Sequence, residues 1–404
     1  MIDISFLYCG HESPATPHRY GRALRERDVP EHQRMAVATS ARDRRPVVVW
    51  NLTRRCNLRC VHCYTASEPG RRYEGELNTD EAKAVLDDLA AFGVPAVLFS
   101  GGEPLLREDL FELIAHARQR KLHVVLSTNG TLIDERIAQR LHALRCAYVG
   151  VSLDSATPEI HDRFRGVDGA FERTMRGFRS LLAAGQKVGL RLTLTRQTAA
   201  DIEQVFDFIE AESIDRACFY HLVPAGRGGQ VVDLSLAESR RAVETILART
   251  ADLHARGKAV EILTVDNHCD GPLLYLKMTA EANPRAEEVY RMLEWNGGGR
   301  YSSGVGIGCI GPAGEVHANQ FWSHHSFGNV RRRPFSAIWL DESDPLMAGL
   351  KDRLPRLEGR CGACRFKALC GGSSRVRAEA AFGDPWQYDP ACYLTDEEIG
   401  VREG

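Results

Sequence analysis

The chain has 404 residues, a formal net charge of -2 and 44% apolar residues. That length allows one large domain or two moderate ones with full cores, and the near-neutral charge excludes the basic field that drives nucleic-acid binding. The N-terminal MIDISFLYCGHESP has no basic stretch ahead of a long apolar one, and no run elsewhere approaches ~18 apolar residues, so a cytoplasmic protein without a membrane span is expected. In a reducing compartment the twelve cysteines, clustered near 56–63 and 361–392, point to metal rather than to disulfides.

Residues 1–44 are polar, arginine-rich and weakly periodic, and read as an N-terminal arm with the globular part beginning after it. Over 45–260, PVVVWNL, PAVLFSGG, LHVVLSTNG, AYVGVSLD, KVGLRLTLT and ACFYHLV are strand-like, β-branched and bounded by turn residues. Helical patterns lie between them. In the first, Thr79 is the expected cap, Ala82, Val85, Leu86 and Leu89 share one face, and Gly93 ends the helix; others fall at 108–120, 133–145, 169–185, 200–213 and 236–256. Alternating strands and helices imply a parallel sheet covered on both faces, so the fold class is α/β, a full or partial (β/α) barrel. A connecting segment at 261–300 holds the strand-like AVEILTVDN and a helix through EEVYRMLEW. The glycine-rich NGGGRYSSGVGIG then leads into a small domain at 301–404.

In such barrels chemistry sits at the C-terminal ends of strands, and the unusual residues fall there. The first strand runs into NLTRRCNLRCVHCYTAS, with Cys56, Cys60 and Cys63 spaced C-x3-C-x2-C. Three thiolates leave one position of a metal centre open, and thiolate-rich sites select iron-sulfur or zinc.

These residues resemble the radical S-adenosylmethionine (SAM) superfamily, whose signature is C-x3-C-x-aromatic-C after the first barrel strand; His62 takes the aromatic slot. The resemblance implies a partial (β/α)6 barrel and a [4Fe-4S] cluster on Cys56, Cys60 and Cys63, with SAM on the remaining iron and cleaved to a radical. It further implies SAM contacts from the SGGEP segment (Gly101, Gly102, Glu103, Pro104), from Ser127, Thr128 and Asn129 in STNG, and from Ser152 and Asp154 in VSLD.

Near the C-terminus Cys361, Cys364, Cys370 and Cys392 form C-x2-C-x5-C-x21-C, enough to close a four-thiolate site for zinc or a cluster. Beside the barrel motifs this resembles the SPASM or twitch extension, which implies an auxiliary [4Fe-4S] cluster. Members with two auxiliary clusters place a cysteine where this chain has Ala318 and Asn319, so one auxiliary cluster is expected. Cys309 has no assigned role, and Cys9, Cys146, Cys218 and Cys269 are expected as small buried residues.

RACFYHLVPAGRG, EILTVDNHCDGPLLYLK and GDPWQYDPACYLTDEEIG look like the SAM-dependent heme synthases and the related heme d1 enzymes. This implies a small-molecule iron porphyrin substrate. The main expectation is oxidative decarboxylation of two propionates of iron-coproporphyrin III to vinyls, giving heme b. Conversion of didecarboxysiroheme propionates to oxo groups, a peptide maturase, and a non-catalytic iron-sulfur or heme carrier are the alternatives. A low-potential donor such as flavodoxin or ferredoxin is the implied redox partner. Arg191, Arg227 and the run Arg331 to Arg333 are candidate carboxylate anchors. His221 is the chosen catalytic residue and iron ligand, ahead of His317, His324 and His325.

Overall fold

The computed structural model describes residues 1–13 and 44–401, and the rest of the 1–44 segment lies outside the described residues. Eleven strands form one sheet: β1 (Ile2–Asp3), β2 (Val47–Thr53), β3 (Val97–Gly101), β4 (Val124–Thr128), β5 (Tyr148–Ser152), β6 (Val188–Leu194), β7 (Arg216–His221), β8 (Glu261–Val265), β9 (Ile307–Ile310), β10 (Glu315–His317) and β11 (Gly328–Asn329). Their order is β1-β8-β7-β6-β5-β4-β3-β2-β9-β10-β11. From β2 to β8 neighbours follow the chain and pair in parallel, with Val49 opposite Leu98, Leu126 opposite Val149 and Leu192 opposite Phe219. Parallel neighbours need crossovers, and the amphipathic segments supply them as outer helices. The six expected barrel strands are thus β2 to β7.

The first crossover helix, Thr79–Phe92, shows how local sequence sets an element. Asn78, not Thr79, is its cap: its side chain accepts from the Glu81 amide, while Glu81 accepts from the Asn78 amide. Gly93 ends the helix in the left-handed region at φ 80°. Ala82, Val85, Leu86 and Leu89 are buried against the sheet, in a continuous core that includes Trp50 and Phe99. A fully buried residue of that size contributes on the order of 1.5–3 kcal/mol.

Three features differ from the sequence reading. The globular part does not wait for residue 44: β1 pairs antiparallel with β8, and Ile2, Ile4, Phe6 and Leu7 are buried beside the helices Asp270–Ala280 and Ala286–Asn296. Four apolar residues are too few to show a period, so only the pairing reveals them. Secondly, β8 lies within the span read as a connecting segment, yet pairs in parallel with β7. Thirdly, the glycine-rich stretch leads into β9, which pairs in parallel with β2 and carries the hairpin β10–β11. The C-terminal extension therefore continues the barrel sheet. Among the described residues no helix is long and apolar enough to cross a membrane.

Candidate functional site

The cysteine loop leaves β2 at its C-terminal end and is braced from three sides. The Gly102 amide donates to Thr53 O at 2.7 Å and the Glu103 amide to Arg55 O at 2.8 Å. A Cβ on Gly102 would stand 2.2 Å from Arg55 O, so only glycine permits this approach. Pro104 then starts a short 3-10 turn. From the β4 end, Asn129 Nδ2 donates to Asn57 Oδ1 at 2.9 Å. From β7, Arg227 donates to Cys60 O at 2.9 Å and Ser67 O at 2.8 Å.

Cys60 is buried, with Cys56 and Cys63 half-buried beside it around Leu58 and Ala170. Arg165 Nη1 donates to Cys60 Sγ at 3.5 Å, and the Leu58 amide to Cys56 Sγ at 3.4 Å. Burial pushes the Cys56 thiol up to about 12, and the Glu103 charge adds to this. Among the described residues no three His, Cys, Asp or Glu side chains converge on a point that would hold a single ion. Three thiols that leave one position open are a donor set that suits an iron-sulfur cluster.

The named SAM contacts divide into two groups. His62, Ser127 and Ser152 line a cavity at the C-terminal mouth of the barrel, with Tyr64, Arg165, Arg191, His221 and Asp266. His62 stacks on Phe164 at 4.5 Å between centroids, and its Nδ1 is buried without a hydrogen-bond partner; burial lowers its pKa to about 4. Glu103, Asn129 and Asp154 instead serve the walls. Glu103 is fully buried and accepts from Thr128 Oγ1 and the Asn129 amide, both at 2.8 Å; burial raises its carboxyl to about 7. Asp154 is ion-paired with Arg165, the group that donates to Cys60, and accepts from the Thr193 amide at 3.0 Å.

Of the anchor candidates, Arg191 alone lines the cavity. It donates to Ser127 Oγ at 2.6 Å and through Nη2 to the Tyr220 hydroxyl at 2.6 Å. Arg331 pairs with Glu81 and Arg333 with Asp341 on exposed surface away from the cavity. His221 lines the cavity, and its Nε2 lies 3.0 Å from Asp270 Oδ2. His317 bonds to the His325 carbonyl, His324 to Glu379 and His325 to Asp344.

The second cysteine set surrounds a separate small cavity. Cys361, Cys364, Cys370 and Cys392 line it together with Cys269, read from sequence as an ordinary buried thiol. The Asp389 amide donates to Cys361 Sγ at 3.4 Å and the Phe366 amide to Cys364 Sγ at 3.3 Å, donors that suit thiolates. The turn at Gly371 packs on the glycine-rich segment so closely that a Cβ there would stand 2.0 Å from the Arg300 amide nitrogen. Cys309 is elsewhere, buried on β9 with Asn51 Nδ2 at 3.7 Å from its sulfur.

Sequence reasoning missed Arg165, Tyr64, Asp266, Asp270 and Cys269. Arg165 ends the helix Pro158–Arg165, whose charged sequence hides its buried face. Asp266 follows β8 with φ 68°, an unusual backbone for a residue other than glycine, but only the fold brings it to the cavity. The VDNHCDG string was a usable signal for Cys269 and Asp270, since it follows a strand.

The Radical SAM superfamily model matches residues 50–209. Fe-coproporphyrin III synthase of Methanosarcina barkeri is 54% identical over 408 residues, covering 100% of each chain. Pre-heme d1 synthase of Dinoroseobacter shibae is 42% identical over 88% of each chain. AdoMet-dependent heme synthase of Methanosarcina barkeri is 33% identical over 86% of this chain and 95% of its own. In fold, the chain resembles Streptococcus suis SuiB bound to S-adenosylmethionine, with a TM-score of 0.68 and 20% identity over 87% of this chain and 78% of that one. With the cysteine loop at the barrel mouth, these likenesses place the protein: it belongs to the radical SAM superfamily and is a SAM-dependent enzyme with a [4Fe-4S] cluster.

Proposed function

We propose that the enzyme trims acidic side chains of an iron tetrapyrrole and that iron-coproporphyrin III is its product. Arg191 carries the acidic part of this reading. It stands in the barrel cavity and, among the described residues, forms no ion pair with a carboxylate, so a guanidinium is left for an anionic ligand. The macrocycle is supported by the three relatives, and its place as product by the 54% identity to a protein named for making it. Radical chemistry acts on carbon-hydrogen bonds, so a route to that product starts from an iron tetrapyrrole with different side chains. Didecarboxysiroheme fits.

Cys56, Cys60 and Cys63 would hold three corners of the cluster, with His62 and Ser152 lining the SAM side of the cavity. Bound cluster and SAM supply a 5'-deoxyadenosyl radical that takes a hydrogen atom from the substrate. Arg191, steadied by Ser127 and Tyr220, fixes a side-chain carboxylate. Gln320 and Phe321, from the loop after β10, close the cavity from the extension side and limit water. His221 is positioned to meet the macrocycle. The quartet Cys361, Cys364, Cys370 and Cys392 would hold an auxiliary [4Fe-4S] cluster, and a ferredoxin or flavodoxin in the cytoplasm would supply electrons.

The second reading is conversion of iron-coproporphyrin III to heme b, favoured by the motifs and by the heme synthase relatives. One experiment separates the two: anaerobic turnover of reconstituted enzyme with SAM and dithionite, given either didecarboxysiroheme or iron-coproporphyrin III, with products resolved by mass spectrometry. Formation of iron-coproporphyrin III with matching deoxyadenosine supports the first reading. Two losses of CO2 plus two hydrogens from iron-coproporphyrin III overturn it in favour of the second.

A further inference from the structure

Three buried groups connect the barrel cavity to the second cysteine set. His221, the last residue of β7, lines both the barrel cavity and a neighbouring groove. Its Nε2 lies 3.0 Å from Asp270 Oδ2, and Asp270 Oδ1 accepts from the Tyr393 hydroxyl at 2.5 Å. Their exposures are 6%, 0% and 5%. Asp270 follows Cys269 and Tyr393 follows Cys392, and both cysteines line the quartet cavity.

A carboxylate only accepts hydrogen bonds, so the ring nitrogen facing Asp270 carries a proton. With Nε2 donating to Asp270, Nδ1 is the ring nitrogen left to meet a ligand. Histidines that ligate metal commonly donate their other ring N–H to a carboxylate, which fixes the tautomer and the ring plane.

We propose that Asp270, braced by Tyr393, is a positioning residue that fixes His221 with Nδ1 toward the cavity, where it ligates the iron of the bound tetrapyrrole. This rests on the iron tetrapyrrole reading above. It assigns the start of the helix Asp270–Ala280 a part in substrate binding, next to Cys269 in the quartet cavity.

The test is equilibrium binding, without SAM, of iron-coproporphyrin III and of metal-free coproporphyrin III to the cluster-loaded protein, read by absorption and by ferric-iron paramagnetic resonance. In the unaltered protein both porphyrins bind, and the iron form shows a histidine-ligated spectrum. Asp270→Asn weakens the iron form at least about tenfold and leaves the metal-free form unchanged. Tyr393→Phe, which removes one hydroxyl and keeps the ring, shifts the iron form in the same direction by less. His221→Ala loses the histidine signature, and added imidazole restores it. Equal weakening of both porphyrins by Asp270→Asn and Tyr393→Phe would mean a structural role and overturn the proposal. So would spectra indifferent to all three changes while binding persists, which leaves the substrate reading intact. Failure of the unaltered protein to bind either porphyrin overturns both.

Discussion

The two cysteine sets differ in what surrounds them. The loop of Cys56, Cys60 and Cys63 opens onto the barrel cavity, and its neighbours His62 and Tyr64 line that cavity. The set of Cys361, Cys364, Cys370 and Cys392 lies apart, screened by the buried Arg377–Asp389 ion pair, and Arg377 also holds the carbonyls of Leu222 and Asp266. The first set adjoins the barrel cavity, and the second lines a separate small cavity of its own. The difference lies in what the residues beside the thiols face rather than in the number of thiols.

The largest effects test the open site. Replacing Cys56, Cys60 or Cys63 by alanine should abolish deoxyadenosine formation, measured by chromatography after reduction; retained cleavage would break the assignment of the open site. Next, Asp154→Asn leaves Arg165 buried beside Cys60 without its partner. Removing one partner of a buried pair costs on the order of 3–5 kcal/mol, which chemical denaturation would read. A loss below ~1 kcal/mol would show that the pair does not brace the loop.

For the second cysteine set, Cys370→Ala should lower bound iron and sulfide yet spare some deoxyadenosine formation, uncoupled from product. Full iron content with normal product would remove the auxiliary role. Arg191→Ala should raise the porphyrin concentration needed for half-maximal turnover by roughly 10- to 150-fold, in line with a lost charge-assisted hydrogen bond of roughly 1.5–3 kcal/mol, with deoxyadenosine formation in the absence of porphyrin unchanged. The smallest change is expected for Arg331→Ala, whose half-exposed pair with Glu81 is worth about 0–1 kcal/mol, and turnover should not move.

Much of this was legible in the residues alone. The runs that became β2 to β7 are apolar and β-branched because their sheet is buried on both faces, and cysteine spacing is chemistry that can be read without coordinates. What stayed hidden depends on distant partners. Ile2 to Leu7 carries too few apolar residues to announce itself, and joins the core because β8 offers an open edge. Glu103, Asn129 and Asp154 are marked by their motifs, but only packing shows that they brace the cysteine loop and that Arg191 faces the cavity. Cys269 and Asp270 are 91 or more positions before Cys361 in sequence, yet they border the second cysteine set and His221. Local sequence by itself determined the strands, the helix periods and the clustered donors, since these follow from periodicity and ligand chemistry over a few residues. Only the tertiary structure decided which donors share a cavity, because that depends on contacts between segments that no local pattern encodes.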